Sequence, residues 1–232
     1  MNVLVTGATK GIGRAIAEKF AKEGAEIAIC ARNEKDLKQF EKYLADKYSA
    51  KVLAVPCDVS DKKQVKAFAG KVKKKWKRLD VLVNNAGIFL PGNVTEKKEA
   101  GLEQMMALNF FSAYFMTREL LNLMLPHRSG HIFNMCSVAS LKAYSHGGLY
   151  SVSKHALLGF SRALREEMKE HNIRVTSVFP GATYTPSWAG VDLPESRFMD
   201  AKDVADLIFE IYSLSERSVV EDVVLRPMMG DV

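Results

Sequence analysis

Ser137, Tyr150 and Lys154 are the residues whose types and spacing best suit proton chemistry. Tyr150 and Lys154 lie four apart beside a stretch, Ser151 to Phe160, whose pattern reads as a helix, and residues four apart share a helix face. A phenol and an ammonium are therefore directed into one space. A free phenol, with a pKa of about 10, is a poor base near neutrality. A fixed positive charge beside it favours the phenolate. The pair makes Tyr150 a candidate to give or take a proton. Ser137 stands thirteen residues earlier, and its hydroxyl, closing on the same point, would hold a carbonyl oxygen while charge develops there. The pattern alone is cheap. Tyr43 and Lys47 repeat it on a charged helix, where a solvated face is expected.

What separates the two copies is the rest of the chain. An apolar strand, Asn2 to Thr6, runs into Gly7-Ala8-Thr9-Lys10-Gly11-Ile12-Gly13, and a helical pattern follows from Arg14 to Lys22. Glycines allow positive φ and close backbone approach, and a helix N-terminus offers free N–H groups to a pyrophosphate. The reading is a dinucleotide site; a merely tight turn is the alternative. The next strand, Glu26 to Ala31, ends without the acidic residue that would hold a ribose 2′-hydroxyl, and Arg32 follows at once. An arginine can bind a 2′-phosphate bidentately, and Lys10 adds a second cation, so NADP(H) is expected over NAD(H). Asp58 and Val59 close the strand Lys51 to Cys57; either Asp58 contacts the adenine, or one of Asp58 and Ser60 caps the next helix. The strand Leu79 to Val83 ends in Asn84-Asn85-Ala86-Gly87, either a plain turn or a place where small residues admit a cofactor. One long helix, or two in series, is expected from about Thr95 to Leu125. Within it Asn109 is either a satisfied core amide or a helix-bending residue that holds a water.

Strands Gly130 to Cys136, Ile173 to Phe179 and Val219 to Leu225 complete seven, with helices from the Tyr150 region to His171 and from Asp203 to Leu214. The alternation predicts an α/β, Rossmann-type, doubly wound parallel sheet of seven strands with helices on both faces. Every candidate then falls at the carboxyl edge of that sheet. The 232 residues, 47% hydrophobic and with no Pro/Gly/Ser-rich linker, read as one domain over 1–232. No apolar run is long enough to span a membrane, and a strand beginning at Asn2 leaves no room for a signal peptide. Cys30, Cys57 and Cys136 lack metal-ligand spacing and suit a reducing cytoplasm; no metal is expected. The net charge is +6, densest from Lys71 to Arg78, which reads as the wet end of an amphipathic helix or a patch for an acidic partner. No nucleic-acid-binding signature accompanies it. His131 and His171 have no partner at catalytic spacing and are read as structural.

Nearly the whole length resembles the short-chain dehydrogenase/reductase family in its small form. The likeness rests on Thr6-Gly7-x-x-x-Gly11-x-Gly13, Asp58, Asn84-Asn85-Ala86-Gly87, Asn109, Ser137, Tyr150-x-x-x-Lys154 and Pro180-Gly181-x-x-x-Thr185 in order. It implies carbonyl reduction, with Tyr150 as general acid and Ser137 orienting the carbonyl. Lys154 would bind the nicotinamide ribose and favour the phenolate, and Asn109 would hold a water that links Lys154 to solvent. The implied cofactor set is Gly7, Thr9, Lys10, Gly11, Ile12 and Gly13, then Arg32, Asp58, Val59, Asn85, Ala86 and Gly87, then Tyr150, Lys154, Pro180, Gly181 and Thr185. Within the family, Gly130 to Phe133, Pro180 to Trp188 and Leu225 to Asp231 look most like bacterial sepiapterin reductases, with 3-oxoacyl-carrier reductases as rival. Trp188 either stacks on a flat substrate ring or packs on its neighbours. A small-molecule carbonyl substrate and a homodimer or homotetramer are implied; a non-catalytic NADP(H) sensor is the reading from another class.

Overall fold

Val3, Leu4 and Val5 are all fully buried, and they alternate between two different cores. That is the signature of a strand covered on both faces, and it explains the continuous apolar run at the start of the chain. The computed structural model describes residues 1–95, 100–144 and 146–231. Its strands are β1 (Asn2–Thr6), β2 (Glu26–Ala31), β3 (Val52–Pro56), β4 (Val81–Asn84), β5 (Gly130–Met135), β6 (Ile173–Pro180) and β7 (Asp222–Leu225). They form one parallel sheet in the order β3-β2-β1-β4-β5-β6-β7. The order reverses between β1 and β4, where open sheets of this kind part and take up ligands.

Helices α1 (Gly11–Lys22), α2 (Glu34–Tyr48) and α7 (Ala201–Ser213) cover one face. Phe20 of α1 meets Phe209 of α7 edge-on, with centroids 5.4 Å apart. Helices α3 (Lys62–Lys75), α5 (Ser112–Leu120) and α6 (Gly148–Met168) cover the other. Beneath α5 and α6 runs a buried polar chain. Asn84 donates to Thr117 (3.0 Å) and Asn134 (2.8 Å), and Asn134 donates to Ser161 (3.0 Å). Asn84 and Asn134 are register partners, so a one-residue slip of β4 on β5 would strand these amides.

Three expectations need correction. The α3 cap is Asp61, which accepts from Lys63 N at 2.7 Å; Asp58 instead closes its own turn on Ser60. The helix expected from about Thr95 to Leu125 is broken into α4 (Ala100–Met105), a π-helical stretch Met106–Phe111, α5 and two 3₁₀ turns, Leu121–Leu123 and Leu125–His127. Residues 96–99 of that expectation lie outside the described residues. The π stretch forms where the Asn109 amide is pulled out of the helix to backbone and side-chain partners described below. Last, the second Tyr-x-x-x-Lys copy is solvated at Lys47 but not at Tyr43. Tyr43 and Tyr48 donate to Glu18 (2.6 and 2.7 Å), and Lys47 donates to Glu18 (3.0 Å) and Tyr43 (2.6 Å). That knot ties α2 to α1, and Tyr43 packs on the core.

His131 is fully buried, stacked on Phe133 and bonded through Nε2 to Thr176 at 2.7 Å. Burial, and after it the Arg174 charge, hold its imidazole well below the usual range. The unfolded chain binds this proton near pH ~6.5 and the folded chain does not, so stability present above that pH is lost as pH falls. Urea unfolding at about pH 7.5 and about pH 5.5 is expected to show that loss, up to about 1.4 kcal/mol per pH unit, and His131→Gln to reduce it. Equal pH slopes for the two proteins would refute this.

Candidate active site

The turn after β1 is built around missing side chains. Gly7 and Gly11 have positive φ, 64° and 55°. A Cβ on Gly13 would stand 2.3 Å from Asn85 Nδ2 and 2.5 Å from the Gly7 carbonyl. Asn85 Nδ2 donates to the carbonyls of Thr6 (2.9 Å) and Gly7 (3.1 Å), and Thr6 Oγ1 accepts from the N–H groups of Asn85 and Ala86 (both 3.0 Å). The loop after β4 is thus stapled to the loop after β1. Asn85 lines the groove expected of a cofactor site, but its amide is engaged by the turn. No side chain caps α1, so its first N–H groups are left for an anion.

A groove of about 590 Å³ opens over this turn. Of the residues expected to hold a dinucleotide, Gly7, Thr9, Lys10, Gly11, Ile12, Gly13, Arg32, Asp58, Val59, Asn85, Ala86, Gly87 and Thr185 line it. Tyr150, Lys154, Pro180 and Gly181 do not. Gly181 donates its N–H to Leu225 O at 2.8 Å, and a Cβ there would fall 2.8 Å from Asp231 Oδ1. Its smallness serves the C-terminal tail. Asn33, Asp36, Leu108, Pro186 and Ser187 also line the groove and carried no sequence signal strong enough to single them out. The glycine cradle and uncapped helix fit the pyrophosphate of a dinucleotide.

The second group of candidates meets at the carboxyl end of β5. Ser137 follows this strand and opens a 3₁₀ turn, Val138–Ser140, that packs against α6. Its Oγ accepts from Ala139 N (3.1 Å), while its own N–H donates to Ser140 Oγ (3.2 Å), so the hydroxyl retains its proton for another acceptor. Lys154 is 5% exposed, and its Nζ donates to the Met135 carbonyl at 2.7 Å. The ammonium lies 5.7 Å from the centre of the Tyr150 ring. One lysine therefore fastens α6 to the strand end that carries Ser137, with Tyr150 one turn earlier on the same helix.

Asn109 holds this helix from the other side. Its Oδ1 accepts from Ile88 N (2.7 Å), and its Nδ2 donates to Ile88 O (3.0 Å) and Ser153 Oγ (2.9 Å). Ser153 donates in turn to the Tyr150 carbonyl at 2.7 Å. The amide is satisfied, as one alternative for Asn109 had it, and it sits in the π stretch, where the helix departs from regular winding. A Cβ on Gly87 would stand 3.1 Å from Asn109 Oδ1 and 3.6 Å from Lys154 Nζ, so Gly87, at the groove wall, opens onto both groups. Phe89 meets the Tyr150 ring edge-on at 5.2 Å. Sequence reasoning missed Ser153 and Phe89. Ser153 was visible only as a hydroxyl beside Lys154. Trp188 packs on Phe198, with centroids 4.9 Å apart.

Comparison with known proteins agrees with this geometry. The family model for short chain dehydrogenase matches residues 1–195. The chain is 34% identical over 238 residues to sepiapterin reductase of Chlorobaculum tepidum, covering 99% of this chain and 97% of that protein. Among solved structures, a metagenomic short-chain oxidoreductase in complex with NADP is similar with a TM-score of 0.86 and 30% identity, over 98% of this chain and 97% of that one. A single-residue variant of the actinorhodin polyketide ketoreductase with NADPH gives 0.90 and 26%, over 100% and 97%.

Gly13→Ala is expected to lower the unfolding free energy by about 1–3 kcal/mol, the cost of overpacking, and to weaken nucleotide binding. Urea titration and nucleotide fluorescence measure both. A variant as stable as the parent, with nucleotide bound as well, would show that the turn tolerates a Cβ.

Proposed function

The chain belongs to the short-chain dehydrogenase family, and from that premise we propose that this oxidoreductase reduces a small-molecule ketone or diketone with NADPH. The observation that carries the reading is the buried Lys154 ammonium, bonded to the end of β5 beneath Tyr150 and open towards Gly87. A buried cation is costly to a fold unless it is hydrogen-bonded, and this one is bonded at the strand end that carries Ser137.

Gly7, Gly11, Gly13 and the N-terminus of α1 would hold the dinucleotide, whose reduced nicotinamide would supply a hydride for the carbonyl carbon. Tyr150 gives its phenolic proton to the carbonyl oxygen, so that the ketone gains hydride and proton together and leaves as an alcohol. Ser137 donates a hydrogen bond to the same oxygen as it becomes negative. Lys154 keeps a positive charge beside the phenolate that results, and Met135 and the Asn109–Ser153 chain hold both in place. Asn109 Oδ1 keeps one lone pair for a water on the path by which the proton is restored. Arg32, exposed at the groove, receives the 2′-phosphate.

Two substrate readings follow from different observations. The likeness to sepiapterin reductase over almost the full length favours a pterin side-chain carbonyl. The likeness to a polyketide ketoreductase, with a net charge of +6, favours a 3-oxoacyl group on an acidic carrier. We place the enzyme in the cytoplasm as a single-domain homodimer or homotetramer. Among the described residues no helix is long and apolar enough to cross a membrane.

NADPH oxidation against pterins, diketones and 3-oxoacyl thioesters tests the reading. Tyr150→Phe is expected to lower kcat by about 10²–10⁴-fold with NADPH binding retained. No turnover by the parent on any substrate, with NADPH bound, would favour a non-catalytic sensor. Arg32→Asp is expected to raise KM for NADPH at least tenfold more than for NADH, a differential of about 1.4 kcal/mol. An equal rise would overturn the NADP(H) assignment.

A further inference from the structure

The anion-binding rim of the groove carries an acid as well as its two cations. Asp36 pairs with Lys10 at 3.1 Å, and both line the groove with Arg32. The acid is placed there by the start of α2. Asn33 Oδ1 accepts the Asp36 N–H at 3.1 Å, which sets Asp36 in the first helical turn, where a carboxylate is favoured by the helix dipole. From that turn the side chain reaches across to Lys10, the residue immediately before α1. Arg32 forms no ion pair among the described residues. The rim therefore offers one unpaired cation and one that already has a counter-ion.

A carboxylate in this position has the wrong sign for a group with two negative charges. It occupies Lys10 and repels a phosphate that approaches Arg32. The pair is easily parted, since the side chains are 64% and 28% exposed and such pairs are held weakly, but the acid stays close when it opens. We propose that Asp36 is a specificity-determining residue of the groove: it competes with the nucleotide's 2′-phosphate for Lys10. It thereby limits the affinity that Lys10 and Arg32 would otherwise give. The inference rests on the NADP(H) reading. Arg32 selects the phosphorylated nucleotide; Asp36 sets how tightly it is held.

Dissociation constants for NADPH, NADH and 2′,5′-ADP test this at about 50 mM and about 300 mM salt, where screening differs most. The proteins are the parent, Asp36→Asn, Lys10→Met and the double variant. Asp36→Asn keeps the side-chain shape and its backbone N–H to Asn33, and urea unfolding reports whether it folds as the parent does. At low salt it is expected to bind NADPH and 2′,5′-ADP about two- to fivefold more tightly, with NADH unchanged and the gain shrinking at high salt. Lys10→Met is expected to cost more affinity for 2′,5′-ADP in the Asp36→Asn background than in the parent. NADPH binding that is unchanged or weaker in a folded Asp36→Asn protein overturns the inference while the cofactor reading stands. A parent that holds NADPH and 2′,5′-ADP no better than NADH overturns the cofactor reading, and the inference with it.

Discussion

A lysine ammonium taken out of water is the constraint on which the centre of this molecule is organised. Lys154 is 5% exposed, and its bond to the Met135 carbonyl joins helix α6 to the end of β5. The penalty for burying such a charge falls only if its surroundings stay polar and fixed. The Met135 carbonyl is such a fixed partner, while Asn109, bonded to Ser153 and the backbone of Ile88 from the π-helical stretch, holds the helix that carries the ammonium. Gly87 completes the arrangement by having no side chain between the ammonium and the groove.

The nucleotide groove obeys a second, steric constraint, and the two meet at one loop. The staple between Asn85 and the Thr6–Gly7 backbone leaves no room for a Cβ on Gly13, so the turn after β1 and the loop after β4 form a single unit. Ala86 and Gly87 continue that loop from the groove towards Lys154. Because β1 and β4 are neighbours where the strand order reverses, the glycine turn and the loop that leads to Lys154 lie side by side.

Much of this was legible in the amino-acid order. Continuous apolar runs mark strands buried on both faces, and Val3 to Val5 obey that rule. The glycine turn and the Tyr150/Lys154 spacing report local geometry, which sequence carries well. What stayed hidden depends on contacts across the fold. Asn109 reads as a poor helix residue; its partners Ile88 and Ser153 are 21 and 44 positions away. Asn85 could be placed at the groove, but its engagement with the turn comes from residues 78 and 79 positions earlier. Gly181 looks like part of a cofactor motif, yet its space is used by Asp231. The Tyr43/Lys47 copy misleads for the same reason: Glu18, on another helix, turns it into a structural knot.

Whether the buried ammonium is there for reaction or for architecture is decided by turnover per folded molecule of Lys154→Met. The substitution keeps a long unbranched side chain and removes the charge. The variant leaves the buried Met135 carbonyl without its donor and is expected to lose about 1–3 kcal/mol of stability, so turnover is counted per folded molecule. If Lys154 serves the chemistry, each folded molecule should lose at least about 100-fold in turnover with NADPH. Turnover per folded molecule within a few-fold of the parent would contradict the account.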